Sequence, residues 1–224
     1  MGRPASERRD ELIELFREVQ ACQRCPLHAT RTQVVFGSGN ADADLMFVGE
    51  APGFHEDQQG KPFVGAAGKL LGKLLEEIGM TREDVFIANV LKSRPPGNRD
   101  PQPEEIEACK PFLTRQIELI EPRVICTLGN FSTKLLTRRQ DGITRVHGTP
   151  QDHVIAGLPI RLYPIFHPAA GLRSTSMLET LREDFKQLPA LLEAARPETS
   201  EPREKESRGG SAEPVAASQL GLFS

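Results

Sequence analysis

Three clusters of chemically capable residues punctuate this sequence, each just after a short apolar run. The first follows Val48 and reads Gly49, Glu50, Ala51, Pro52, Gly53, with Glu56, Asp57 and Gly60 beyond it and Pro62-Phe63-Val64-Gly65 closing it. Glycines let backbone come close to a ligand, and a long loop that gathers carboxylates around an aromatic is the kind that carries function. The second is Asn89, followed by Lys92, Arg94, Asn98 and Arg99. An asparagine side chain sets an acceptor beside a donor. That pair suits a ring edge showing N–H next to C=O, as uracil does; cytosine shows the reverse order. The cations suit a phosphate backbone. The third is Phe166-His167-Pro168-Ala169-Ala170, whose histidine could donate to an oxygen where negative charge develops in a transition state. Phe63 could stack on a base. Each feature alone has a plainer reading: an asparagine bonding its own loop, a core phenylalanine, a solvated basic run. Only their convergence would carry chemistry.

The cysteines are a fourth signal. Cys22 and Cys25 form a C-x-x-C pair, and Cys109 and Cys126 lie far downstream. That pattern suggests a four-thiolate site for zinc or an iron–sulfur cluster. The alternative is a lone pair plus two unrelated buried cysteines. The polar N-terminus MGRPASERRDELIEL opens a helix rather than a signal peptide, and no apolar run approaches the ~20 residues of a membrane span. The chain therefore reads as cytoplasmic, where disulfides are disfavoured.

These clusters need a scaffold. A chain of 224 residues, 38% hydrophobic, suits one α/β domain of ordinary size. Apolar periodicity predicts helices over 6–21 (capped by Ser6), 66–79, 103–120, 131–136 and 178–195. Strands are expected at 45–48, 85–90, 123–128, 143–146, 153–155 and 161–165, with 143–146 and 153–155 as a possible hairpin and 34–36 short and extended. Residues 91–102 read as loop, because prolines and glycine interrupt them. Alternating strands and helices imply a mostly parallel sheet with helices on both faces. Parallel strands bring their carboxyl ends to one edge, where such sheets bind ligands, so the three clusters could line one crevice. The net charge of −3 means that any nucleic-acid contact must come from a local basic patch.

Several long motifs, in order, carry a resemblance. CQRCPLHATRTQVVFGSGN, GEAPGFHEDQQGKPFVGAAG, NVLKSRPPGNRDPQPEEIEAC and FHPAA resemble the family 4 uracil-DNA glycosylases, iron–sulfur members of the uracil-DNA glycosylase superfamily, over roughly residues 15–190. The resemblance implies a three-layer α/β/α fold with a central, mostly parallel four-stranded sheet, and excision of uracil flipped out of DNA. It implies that Gly49, Glu50 and Ala51 wall the pocket, that Phe63 stacks on uracil, that Asn89 reads its edge and that His167 stabilises the departing anion. Glu56 and Asn98 match positions implicated in the site, with a Glu50–Asn98 hydrogen bond bracing two loops. Ala51 stands where some sister families place an aspartate that orients the attacking water. Lys92, Arg94 and Arg99 are the candidate phosphate contacts. Leu172 and Arg173 are the candidates to fill the gap left in the duplex.

The family pattern has cysteines at the positions of Cys22, Cys25, Ser93 and Cys109. With serine at 93, the fourth ligand of a [4Fe–4S] cluster is Ser93 or Cys126, or the site holds zinc or nothing. A sibling group that traps DNA covalently has a histidine in the loop after position 93; none stands between Ser93 and Asp100, so turnover is expected. The expected organisation is a glycosylase-like domain over 1–195, a disordered linker rich in Pro, Glu, Ser and Arg over 196–218, and an apolar peptide over 219–224. Gln219, Leu220, Leu222 and Phe223 resemble a bacterial sliding-clamp-binding peptide, and a tether would raise the local concentration of the enzyme at the clamp. A monomer acting on uracil-containing DNA is the leading expectation. A non-catalytic DNA-binding module, or a glycosylase for other deaminated bases such as hypoxanthine, are the alternatives.

Overall fold

Among the described residues, 4–196, six short extended runs pair into one sheet. They are β1 (Ser38–Gly39), β2 (Leu45–Gly49), β3 (Phe86–Asn89), β4 (Val124–Leu128), β5 (Gln151–Ile155) and β6 (Leu158–Ile165), in the order β1-β3-β2-β4-β6-β5. This computed structural model places the linker and the peptide of Gln219, Leu220, Leu222 and Phe223 outside the described residues. The inner four strands, β3, β2, β4 and β6, run parallel. They are the expected four-stranded sheet, extended at each edge by an antiparallel strand.

Strands β2, β3 and β4 are buried on both faces, and their side chains alternate between two cores. Met46 and Val48 of β2 point into one core, Leu45 and Phe47 into the other. Helix α1 (Ala5–Gln20) buries Leu12, Leu15, Phe16 and Val19 on the first face. The helices that follow in the chain are α2 (Phe54–Gln59), α3 (Ala66–Glu77) and α4 (Pro103–Ile120). Helix α4 covers the first face beside α1 with Phe112, Leu113, Ile117 and Ile120, while α3 covers the second with Leu70, Leu71, Leu74 and Leu75. After them come α5 (Asn130–Thr137), α6 (Ile143–Val146), α7 (Pro168–Gly171), α8 (Thr175–Lys186) and α9 (Leu188–Ala194). Leu181 and Phe185 of α8 and Leu188 of α9 complete the second face. The result is three layers, α/β/α.

Four local expectations are corrected. Residues 143–146 form the helical turn α6 rather than a strand: the His147 N–H bonds back to Ile143 O at 2.9 Å, and β-branched residues follow packing context more than intrinsic preference. The hairpin is instead β5–β6, turning at Ala156 and Gly157, whose φ values of 53° and 77° are those a tight two-residue turn demands. The last helix is two helices, because Pro189 cannot donate to the preceding turn. Helix α1 starts after Pro4, without a capping bond from Ser6.

Gly68 shows how tightly α3 is seated. A Cβ there would lie 1.7 Å from the Phe63 carbonyl oxygen, whereas one on Gly72, a turn later, would meet nothing within 4 Å. Gly68→Ala should lower stability by about 1–3 kcal/mol through overpacking, while Gly72→Ala should raise it by about 0.4–1 kcal/mol. Urea midpoints of the two variants check this; equal midpoints would show that the α3–Phe63 contact is not tight.

Candidate active site

The parallel register brings Gly49, at the end of β2, opposite Asn89, at the end of β3. A Cβ on Gly49 would fall 2.4 Å from Asn89 Oδ1 and 2.9 Å from Phe63 Cζ. Only glycine leaves room for both side chains. Strand β6 ends on the same edge and delivers His167, whose ring stacks near Phe63 with centroids 5.6 Å apart at 28°. Gly49, Phe63, Asn89 and His167 thus converge, as the three sequence clusters suggested. Ala51 is half-buried in the same loop, two residues beyond Gly49.

The Phe63 loop is held from several sides. Phe63 has φ 52°, a left-handed conformation that needs support in a non-glycine residue. Arg82 donates to Phe63 O at 3.1 Å and to Pro62 O at 2.8 Å. Glu56 Oε1 accepts the N–H groups of Val64 and Gly65, both at 3.1 Å. The helix carrying Glu56, α2, lies within what the sequence suggested was loop. Its six residues are flanked by glycines and a proline that conceal it, and Gly60 closes it at φ 67°. Arg82 gave no sequence signal, being a lone arginine after a helix.

His167 Nδ1 accepts the Ala169 N–H at 3.1 Å, so the proton of the neutral ring sits on Nε2. Burial, the largest influence, lowers its pKa to about 4; the charge of Glu56 opposes this and that of Arg173 adds to it. The ring is therefore a neutral donor at physiological pH. Behind it, His147 packs on Phe166 with centroids 4.5 Å apart and meets Asp184 Oδ2 at 3.0 Å. Beside it opens a cavity of about 750 Å³ whose lining includes Glu50, Asp100, Gly129 and His167. Burial, and then the charge of Asp100, raise the Glu50 pKa.

Several expected roles change. Lys92 is 1% exposed and turned inward, donating to Asn89 O at 2.7 Å and Gln116 Oε1 at 2.6 Å. It cannot meet a phosphate; it secures the backbone of the Asn89 strand end. Burial lowers its pKa to about 7. Asn98 accepts from Arg94 Nε at 2.7 Å and makes no hydrogen bond with Glu50, so the expected brace is replaced by one within the loop. Arg94 also lies over the exposed ring of Phe54, 5.2 Å from its centroid. Arg99 grips Glu105 through both terminal nitrogens, at 2.9 and 2.6 Å. Leu172 and Arg173 are exposed just past His167, as a residue entering a duplex must be.

The cysteines divide between the two faces of the sheet. Cys22, Cys25 and Cys109 belong to the α1–α4 side, within electrostatic reach of one another. Cys109 Sγ accepts the Lys92 N–H and Cys22 Sγ the Arg24 N–H, each at 3.5 Å. Ser93 follows Lys92, buried, and accepts from Arg31 at 3.2 Å. Cys126 is fully buried in the opposite core, so it is removed as a candidate ligand. As the side chains stand, no group of three or more His, Cys, Asp or Glu among the described residues could hold a metal ion.

The sequence profile of the uracil DNA glycosylase superfamily matches residues 36–192. The type-4 uracil-DNA glycosylase of Saccharolobus solfataricus is 48% identical over 188 residues, 82% of this chain and 87% of that protein. That of Archaeoglobus fulgidus is 46% identical over 186 residues, 81% and 94% of the two chains. That of Thermotoga maritima is 49% identical over 170 residues, 75% and 87%.

The lowered pKa of His167 fixes a pH dependence. A folded state that prefers the neutral ring gains stability that is complete above the ordinary value of 6.5 and lost as pH falls towards about 4. His167→Asn should flatten that part of the stability–pH curve. Denaturant unfolding at a series of pH values reads it, and a variant curve parallel to that of the wild type would mean that His167 titrates normally.

Proposed function

Because the chain belongs to the uracil DNA glycosylase superfamily, we propose that it hydrolyses the N-glycosidic bond of deoxyuridine in DNA, releasing uracil and leaving an abasic site. The observation that carries this reading is the convergence of Asn89, Phe63 and a neutral, Nε2-protonated His167 around the bare backbone of Gly49. Uracil leaves the stack at a cost of a few kcal/mol and enters the cleft. Phe63 supports its face, and the Asn89 amide pairs with its N–H and C=O edge. As the bond between N1 and the sugar breaks, its electron pair moves onto the base and the sugar becomes oxocarbenium-like. His167 Nε2–H donates to the base oxygen that gains this charge, a preorganised donor requiring no proton transfer. Glu50 lines the same cavity as His167 and would hold the water that adds to C1′, the proton lost by that water passing to the uracil anion to complete the hydrolysis. The exposed Leu172 suits the space vacated in the duplex.

The donor set also supports a metal group. Cys22, Cys25 and Cys109 share one side of the sheet, two of their sulfurs accept backbone N–H groups, and buried Ser93 directly follows the Lys92 N–H that meets Cys109. These residues would hold an iron–sulfur cluster, which when bound would fasten the end of α1 to α4 and to the strand end that carries Asn89. Purified protein should contain iron and sulfide, and Ser93→Cys should retain them longer against a chelator, read by visible absorbance and metal analysis. Protein with neither iron nor zinc, in which Ser93→Cys gains none, would remove the metal from this reading.

Excision is tested on a uracil-containing oligonucleotide by alkaline cleavage at the abasic product. His167→Ala should lower the single-turnover rate by about 10²–10³ and Asn89→Ala by roughly ten- to hundredfold, both with DNA affinity largely kept. A folded wild-type protein that binds DNA and excises no uracil would leave only the non-catalytic module; excision confined to hypoxanthine would change the substrate.

A further inference from the structure

The three basic residues that the sequence suggested as phosphate contacts are occupied elsewhere: Lys92 is buried, Arg99 is paired with Glu105, and Arg94 is held by Asn98 and Phe54. A different set of cations faces the cavity that opens beside His167. Helix α4 contributes Ile106 and Lys110, one turn apart; α5 contributes Phe131, Lys134, Leu135 and, at its end, Arg138. Positions 131, 134, 135 and 138 share one face of α5. Lys134 and Arg138 have no ion-pair partner among the described residues, and Lys110 has only a 3.4 Å contact with Glu107.

We infer that this groove between α4 and α5 seats the DNA strand leading away from the flipped nucleotide, with Lys110, Lys134 and Arg138 on its phosphates and Phe131, Leu135 and Ile106 against its sugars and bases. The inference rests on the glycosylase reading above. The charge distribution along the groove favours this occupant. Its two carboxylates, Glu50 and Asp100, come from loops outside the helices, whereas its three cations stand on α4 and α5 themselves, so the helical walls are positive. Helix α5 begins at Asn130, next to His167, and rises about 1.5 Å per residue. Lys134 and Arg138 therefore lie about 6 and about 12 Å further along its axis, steps on the order of a nucleotide of extended backbone. A chain with net charge −3 needs such a local concentration of unpaired cations to hold a polyanion.

The test is the salt dependence of binding to an oligonucleotide carrying a reduced abasic site, as single strand and as duplex, by fluorescence anisotropy. Uracil excision by the same preparations is measured alongside. For Lys134→Ala with Arg138→Ala, the dissociation constant should rise and the slope of log K against log salt should flatten. The change should be about 0.9 per lost phosphate contact on duplex and about 0.7 on single strand. Lys110→Ala should add a further step of the same size. Lys186→Ala on α8, whose partner is Glu183, removes the same charge and should leave the slope unaltered. Wild-type slopes in the double variant, with uracil still excised, would overturn the groove and leave the glycosylase reading intact. A wild-type chain that excises no uracil would overturn both. An equal flattening by Lys186→Ala would show a diffuse charge effect and also overturn the groove.

Discussion

The contact between the bare Cα of Gly49 and the side chains of Asn89 and Phe63 is the constraint on which the cleft depends. It exists because β2 and β3 are parallel and in a register that sets Gly49 against Asn89. The ring of Phe63 must then be carried in from a separate loop, and its backbone takes a left-handed conformation to do so. That conformation persists because its surroundings over-determine it. Arg82 fixes the two carbonyls at the turn, Glu56 gathers the next two N–H groups, and α3 presses against the Phe63 carbonyl through Gly68. Little conformational freedom remains to be lost when a planar ring enters, and this is how preorganisation improves binding.

Lys92 connects this cleft to the other side of the sheet. Its N–H lies on Cys109 Sγ, and its ammonium reaches Asn89 O and Gln116, whose amide in turn donates to Phe36 O at 2.9 Å. A buried ammonium is costly unless its hydrogen bonds are made, and here both acceptors are fixed by other contacts. The strand end that presents Asn89 is thus tied to the helix that carries Cys109. Whatever orders the thiols of Cys22, Cys25 and Cys109 also orders Asn89, the proposed reader of a base edge, without touching it.

The parts of this arrangement that the sequence made legible are those set by local periodicity. The strands around Val48, Asn89 and Ile165 are short and apolar and lead into Gly49, Asn89 and Phe166-His167, and the rule that parallel strands share a carboxyl edge brought their clusters together. Whether a charged side chain at a loop entrance turns in or out is decided by partners distant in sequence. Lys92 read as a phosphate contact because nothing local reveals Gln116, 24 residues away. Arg99 looked free because its pairing with Glu105 depends on how the loop meets α4. The pair at 143–146 and 153–155 failed differently: β-branched residues suggested a strand, but 143–146 closes a helical turn and β5 pairs with the strand that follows it, β6. Cys126 was undecidable from spacing, and the alternation of side chains across β4 placed it in the wrong core for a ligand.

Charges in the cleft are arranged for a bond that breaks heterolytically. The base acquires negative charge and the sugar positive charge, a few ångströms apart. A histidine charged before the reaction would also attract phosphates and would be poorly tolerated in a desolvated site. Neutral His167, its Nδ1 already accepting a backbone N–H, instead offers one oriented donor whose value grows as the oxygen becomes anionic. Glu50 lines the same cavity as Asp100, and burial first, then the charge of Asp100, raise its pKa. In the proposed reaction, positive charge on the sugar would offset the repulsion between these carboxylates, which would then interact more favourably with the transition state than with the neutral substrate. On the proposed mechanism, both halves of the dipole that forms as the bond breaks would meet groups fixed in advance, and the catalytic contribution would come from their orientation rather than from a strong base.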